Sequence, residues 1–243
     1  MGIIEGRNPV IEALRAGRPV SRILLERNIR GGNVDQILSL ANIKGIPVEY
    51  VDRQVIERQC PAGSSQGVIA LAAAKKYISL DELLALSRGK NEPPLYIILD
   101  GIEDPHNLGA ILRTAEATGV HGVVIRERRA VGLTPAVAKA SAGAVEYVPV
   151  AMVSNISQAV LAVQKNNLWV TGIDMAGEMD YSSVDFKLPA AIVIGGEGRG
   201  LSDLVRKRCD FVARIPMRGR IASLNASVAA AVVMYEVVRQ RGL

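Results

Sequence analysis

The stretch Ile215–Pro216–Met217–Arg218–Gly219–Arg220–Ile221–Ala222–Ser223–Leu224–Asn225–Ala226–Ser227 decides how this chain folds. It joins an apolar strand end to a basic, glycine-containing loop and then to a Ser/Asn-rich entry into the last helix. That helix, from about Ser227 to Arg239, is apolar on nearly every face (Val228, Val232, Val233, Met234, Val237, Val238). A helix apolar all round is expected in a core or against a second subunit. Its entry offers unpaired N–H groups, two hydroxyls and an amide beside two arginines, which suits a polar or anionic ligand. An ordinary Ser/Asn cap on a core helix has the same local features. These residues alone leave both readings open.

Upstream of this stretch, short apolar runs alternate with helical segments. Leu95–Leu99, Gly122–Ile125, Leu168–Ile173, Ala190–Ile194 and Phe211–Ile215 read as buried strands, and Tyr147–Val150 as another. Between them, 108–118, 136–142, 156–165 and 201–207 read as helices. Apolar strands alternating with helices predict a mostly parallel sheet covered on both faces. The first 72 residues read as a smaller α/β unit, with Asn8 and Pro9 opening a helix that Gly17 ends. Ser79–Leu80–Asp81–Glu82 is a capping box for a short helix. The polar run 88–94, with Gly89, Pro93 and Pro94, marks a boundary. The division expected is therefore a domain over 1–72, a linker over 73–94 and a larger domain over 95–243.

Ligands of open parallel sheets sit at the carboxyl ends of strands. Three such ends are unusual: Asp100–Asn107, running into a helix with Arg113 and Glu116; Gly195–Gly200, with Glu197 inside it; and 215–225. The glycines fit neither the dinucleotide nor the P-loop pattern. They indicate a sharp turn or a close approach to a ligand. Glu197 reads either as a ligand-facing acid or as a carboxylate bonded to the loop's N–H groups. Arg113 reads either as a surface partner of Glu116 or as a guanidinium set against a phosphate near Asn107. Lys139–Gly143 lacks the first glycine of a nucleophile elbow and reads as close helix packing. His121 reads as structural, while His106, beside Pro105, reads as a turn residue or a functional one.

The composition bounds the rest. In 243 residues, 49% hydrophobic and 22% charged, no apolar run approaches the roughly 18 needed to span a bilayer. Cys60 and Cys209 stand far apart without metal-ligand spacing, which argues for a reducing compartment and no metal. Met1–Arg7 lacks a signal peptide's apolar stretch, so the expectation is a cytoplasmic protein. The net charge of +5 is concentrated in clusters at Arg126/Arg128/Arg129, Arg206/Lys207/Arg208 and Arg214/Arg218/Arg220. Solvated surface explains any one of them; three beside predicted loops favour a nucleic-acid partner.

Three segments together are specific: Asp104–Ala117 (DPHNLGAILRTAEA), Ile194–Leu201 (IGGEGRGL) and Ile215–Ala229 (IPM…SLNASVA). In order and spacing they resemble the motifs of the SpoU (TrmH-like) RNA ribose methyltransferases of the SPOUT class. Glu5–Val10 and Leu133–Ala144 are similar to the RlmB branch, which methylates a guanosine 2′-hydroxyl in large-subunit (23S) ribosomal RNA. The resemblance implies an α/β fold: a trefoil-knotted C-terminal domain that binds S-adenosylmethionine and forms a homodimer, behind a ribosomal-protein-like RNA-binding domain. It places Asn107, Arg113, Glu197, Ser223 and Asn225 at the catalytic centre. Gly195, Gly196, Ile215, Met217 and Leu224, with Thr171 and Gly172, fall beside the cofactor. The family's proposed base matches Arg113. A guanidinium is effectively always protonated, so Arg113 reads better as a clamp on the phosphate beside the target. Where the branch shows His-Gln-Gly, this chain has Ser64–Ser65–Gln66–Gly67. The same chemistry on transfer RNA, and a non-catalytic RNA-binding relative, remain as alternatives.

Overall fold

The computed structural model describes residues 2–60, 65–89, 91–198 and 200–242. Ser64 and Arg199, both named above, lie outside the described residues. From the N-terminus the elements are β1 (Gly2–Glu5), α1 (Arg7–Arg15), β2 (Val20–Glu26), α2 (Gly32–Ile43), β3 (Val48–Val51), α3 (Arg53–Gln59) and β4 (Val68–Ala72). There follow α4 (Leu80–Leu86), β5 (Leu95–Asp100), α5 (Pro105–Ala117), β6 (Gly122–Arg126), α6 (Pro135–Ala140), β7 (Val150–Val153), α7 (Ile156–Lys165) and β8 (Trp169–Ile173). The chain closes with β9 (Met179–Asp180), β10 (Ala190–Gly195), α8 (Asp203–Arg208), β11 (Phe211–Arg214) and α9 (Ala226–Arg241).

Two compact units result, residues 1–76 with 133–147 and residues 77–132 with 148–243. In the first, strands run in the order β1-β4-β2-β3, and only the β2–β3 pair is parallel among the described strands. Side chains alternate between faces along a strand. Ile23, Leu25, Val68 and Ala70 therefore pack under α1 and α2, while Leu24 and Ile69 meet Ile56 and Cys60 on the opposite face. β1, which the sequence reading missed, is an edge strand of four residues paired with β4. α1 starts one residue ahead of Asn8 with Gly6 at its cap position, so the expected Asn8 cap is not formed. Asn8 instead accepts an amide bond from Asn33 at 2.9 Å.

Residues 133–147 pack with this first unit, a grouping absent from the linear reading. The expected strand over Tyr147–Val150 is displaced: Ala144–Glu146 form a 3-10 turn and β7 begins at Val150. The turn is held by Glu146, whose buried carboxylate meets the Arg18 guanidinium at 2.5 Å.

The second unit is a parallel sheet ordered β7-β6-β5-β10-β8-β11-β9. Every residue of β5 is buried, as a strand flanked by partners and covered on both faces requires. The strand order reverses direction between β5 and β10, which is where an open α/β sheet opens a crevice. After β11, on the far side of β8, the chain returns across these strand ends so that α9 packs on α5 and β10. This return crossing is the 215–225 stretch, where the resemblance implies a knot.

α9 buries one face, Ala230, Val233, Met234 and Val237, and leaves Val228 and Tyr235 about half exposed. Its apolar surface is thus only partly covered within one chain. No described helix is long and apolar enough to cross a membrane.

Candidate functional site

α5 starts at Pro105, three residues before the expected Leu108, because Asp104 caps it. The Asp104 carboxylate accepts from the N–H groups of His106 (3.1 Å) and Asn107 (3.3 Å). Pro105 occupies the first turn, where its missing N–H costs nothing. This cap fixes Asn107 in the first turn, 5% exposed, at the carboxyl end of β5.

Asn225 holds the same place at the start of α9. Its Oδ1 accepts from Ser227 N (2.9 Å), Ser227 Oγ (2.6 Å) and Val228 N (3.3 Å). With the oxygen committed to those donors, the amide orientation is decided and Nδ2 must point the other way. There it donates to Asn107 Oδ1 and Glu197 Oε1, both at 3.0 Å. Asn107 Nδ2 closes the ring by donating to Glu197 Oε1 at 2.5 Å. Residues from three separate loops are thereby joined around one carboxylate, at the N-termini of two packed helices whose dipoles favour a negative charge. Of the two readings of Glu197, a carboxylate bonded to loop N–H groups does not form among the described residues; its partners there are the side-chain amides of Asn107 and Asn225.

The loop carrying Glu197 is built by close approach. A Cβ on Gly196 would stand 2.2 Å from the Gly101 carbonyl oxygen, and one on Gly195 would stand 2.2 Å from the Gly200 carbonyl carbon. Gly196 N–H donates to Asp100 O at 2.9 Å, and the Asp100 carboxylate accepts from Ser202 N at 2.8 Å. β5 and β10 are thus tied together just where the sheet's direction changes.

Beside the ring lies a cavity of about 280 Å³. Gly195, Gly196, Ile215, Met217, Ser223 and Leu224 line it, as do Glu197 and the end of β8, Ile173–Asp174–Met175. Thr171 and Gly172 do not line it: Thr171 is buried in mid-strand, and Gly172 faces Leu201 and Cys209. β8 instead reaches the cavity through Asp174, which the sequence reading missed. The strand-end rule that singled out the other loops applies equally to Asp174.

Arg113 is exposed on α5, outside the amide–carboxylate ring, and of its two readings the surface pair with Glu116 is not formed among the described residues. His121 is structural as expected: its Nδ1 accepts from Leu95 N at 3.2 Å, and Nε2 lies 3.2 Å from Glu92. No cluster of metal-ligating side chains occurs among the described residues.

The SpoU rRNA methylase family matches residues 94–235, and the RNA 2′-O ribose methyltransferase substrate-binding family matches residues 3–78. YacO of Bacillus subtilis, assigned by name to the TrmH family of tRNA/rRNA methyltransferases, is 46% identical over 236 residues, 97% of this chain and 94% of its own. The SpoU methyltransferase AviRb of Streptomyces viridochromogenes, solved with AdoMet, superposes with a TM-score of 0.83 at 27% identity over 98% of this chain and 90% of its own. An AdoMet-bound rRNA methyltransferase of Sinorhizobium meliloti gives 0.81 at 27% identity over 98% and 87%. The A. aeolicus TrmH/SpoU tRNA-modifying enzyme gives 0.57 at 27% identity, covering 67% of this chain and 82% of its own.

Fold and site together define a methyltransferase of the SPOUT type. The chain belongs to the SpoU/TrmH family of RNA 2′-O-ribose methyltransferases.

Proposed function

We propose that this protein methylates the 2′-hydroxyl of a guanosine in large-subunit (23S) ribosomal RNA, in the manner of the RlmB branch, using S-adenosylmethionine. The observation that carries the reading is the Asn107–Glu197–Asn225 ring beside the strand-end cavity. Both units match RNA methyltransferase families, and the neighbours that align over nearly the whole chain include an rRNA methyltransferase. That coverage favours ribosomal RNA over transfer RNA, since the tRNA-modifying neighbour aligns over only 67% of the chain.

The cavity fits the cofactor chemically. Ile173, Ile194, Ile215 and Leu224 offer apolar walls for an adenine and the methylenes of a methionine stem, and Asp174 and Glu197 offer carboxylates to a cationic group. When bound there, S-adenosylmethionine supplies an electrophilic methyl group on a sulfonium. Backbone around Gly195, Gly196, Ile215, Met217 and Leu224 holds it, with Thr171 and Gly172 preceding that wall in β8. A ribose hydroxyl is a poor nucleophile, so the residues here must orient it and ease removal of its proton. Asn107, Glu197, Ser223 and Asn225 form the polar side that orients the ribose. Arg113 clamps the phosphate beside the target nucleotide and acts on the hydroxyl through it.

The first unit adds a further RNA face, a cleft lined by Arg7, Arg27, Arg30 and Arg53 together with Asn28 and Gln66. Homodimerisation covers Val228 and Tyr235 of α9. Two free cysteines suit the reducing cytoplasm.

The test is transfer of labelled methyl to protein-free 23S ribosomal RNA lacking its own modifications, with the site mapped by cleavage sensitive to ribose methylation. A single labelled guanosine, lost in Arg113→Ala, supports the reading. Cofactor binding without transfer to this RNA, but with transfer to tRNA, replaces the substrate. Small losses in both Arg113→Ala and Arg113→Lys would remove the role given to that arginine.

A further inference from the structure

A second cleft, of about 920 Å³, shares Asn107, Gly196 and Glu197 with the site just described and is walled on its other side by Arg126 and Arg129. Its lining includes five carboxylates, of Asp100, Glu103, Asp104, Glu197 and Asp203, which at first sight make it a poor place for an anion. Four of them are already engaged. Asp100 accepts from Ser202 N, Asp104 caps α5, Glu197 accepts from two amides, and Asp203 pairs with Arg206 at 2.8 Å. Glu103 alone of the five has no bond among the described residues.

The arginines stand in the opposite condition. Arg126, the last residue of β6, has its Nε buried without a hydrogen-bond partner. Neither the Arg126 nor the Arg129 side chain forms a hydrogen bond or ion pair among the described residues. Arg129 sits at φ 55°, a left-handed conformation that is strained for a non-glycine residue. A buried guanidinium donor left unmade is expensive, and Arg126, which lines the cleft, has no internal partner competing with an acceptor that enters it.

We propose that this cleft seats the phosphodiester backbone of the acceptor RNA strand, with Arg126 as the principal phosphate contact and Arg129 as its neighbour. The inference rests on the proposed RNA methylation and assigns a binding wall that neither the motif residues nor the cofactor cavity contains. An RNA strand lying here runs past Asn107 and Glu197, which line this cleft, and Glu197 also lines the cofactor cavity.

The experiment compares the full-length protein with Arg126→Ala, Arg126→Lys and Arg129→Ala. Binding of protein-free 23S ribosomal RNA is measured across a salt series, with methyl-transfer kinetics and calorimetric S-adenosylmethionine binding alongside. Arg126→Ala is expected to raise the RNA KM about tenfold or more and to reduce the salt slope of RNA binding by about one, with cofactor affinity unchanged. Arg126→Lys restores the slope but only part of the affinity, because lysine keeps the charge without the fork. An unchanged KM and slope in Arg126→Ala overturns the proposal. A loss that depends on the target base while the slope stays constant also overturns it, in favour of a base contact. Should Arg126→Ala melt far below the parent, Arg129→Ala, an exposed position, carries the same comparison. Wild-type protein that binds this RNA without methylating it would remove the proposed reaction and leave the Arg126 comparison intact.

Discussion

Asn225 does two things through one amide, and the two can be separated. Its oxygen caps α9 and its nitrogen joins Glu197 to Asn107. Asn225→Ala should lose both, lowering stability by about 1 kcal/mol as other N-cap truncations do. Asn225→Asp keeps the capping oxygen but sets a second carboxylate against Glu197. Its melting temperature should stay near the parent's while methyl transfer falls on the order of a hundredfold, the scale of losing one oriented donor. Equal activity in the Asn225→Asp variant and the parent would show that the ring is structural only. Gly196→Ala should fail for a different reason, since its Cβ would collide with the Gly101 carbonyl at 2.2 Å and displace the loop. Calorimetry should show weakened S-adenosylmethionine binding. The thiols of Cys60 and Cys209 are each pushed up from 9.0 to about 12, in both cases chiefly by burial. They should resist alkylation at pH 8 until the protein unfolds. The folded state holds those protons more tightly than the unfolded chain does. Stability from this source is therefore complete below pH 9 and declines as pH rises from 9 towards 12.

At the scale of elements, the helix starts position the proposed site. α5 and α9 pack together, and Asp104 and Asn225 cap them so that Asn107 and Asn225 meet. Asp104→Ala should cost about 1 kcal/mol in thermal or urea unfolding. Because Asn107 stands in the turn that this cap orders, methyl transfer should fall by more than the stability change alone accounts for. The helix starts were legible where a side chain makes the cap. Ser79 with Glu82 forms the expected box at α4, and Asp104–Pro105 carries the same signal, although the expected start at Leu108 passed it over. They were illegible where glycine stands at the cap, as at Gly6 before α1. A glycine cap leaves no side chain to read. β1 was missed because an edge strand of four residues is defined by its partner β4 rather than by its own pattern.

Over the whole molecule, the least legible feature is the attachment of residues 133–147 to the first unit. Glu146 carries it: its side chain is 2% exposed, meets Arg18 at 2.5 Å and has Lys75 Nζ at 3.8 Å. Burial pushes the Lys75 ammonium below its ordinary value, and the Glu146 charge opposes that. Glu146→Ala would remove the buried carboxylate opposite the Arg18 guanidinium, which keeps only its bonds to Ala73 O at 3.0 and 2.8 Å. Removing one partner of a buried pair costs about 3–5 kcal/mol, so the unfolding midpoint should drop far more than for the exposed pair Arg53–Glu57. Equal, small losses for the two pairs would show that Glu146 is not holding the segment.

The sequence by itself determined the alternation of strands and helices, the parallel sheet and the three loops that matter. Those follow from local periodicity and from residues whose chemistry is local. Resemblance to family motifs, rather than periodicity, singled out Asn107, Glu197 and Asn225, which hydrogen bonds bring together. Only the tertiary structure decided that these three share one carboxylate, that the segment following β8 contributes Asp174 while Thr171 and Gly172 stay off the cavity, and that Arg126 Nε has no hydrogen-bond partner among the described residues. Each depends on loops far apart in the chain being brought together by strand order, and spacing along a chain does not encode which strand ends become neighbours.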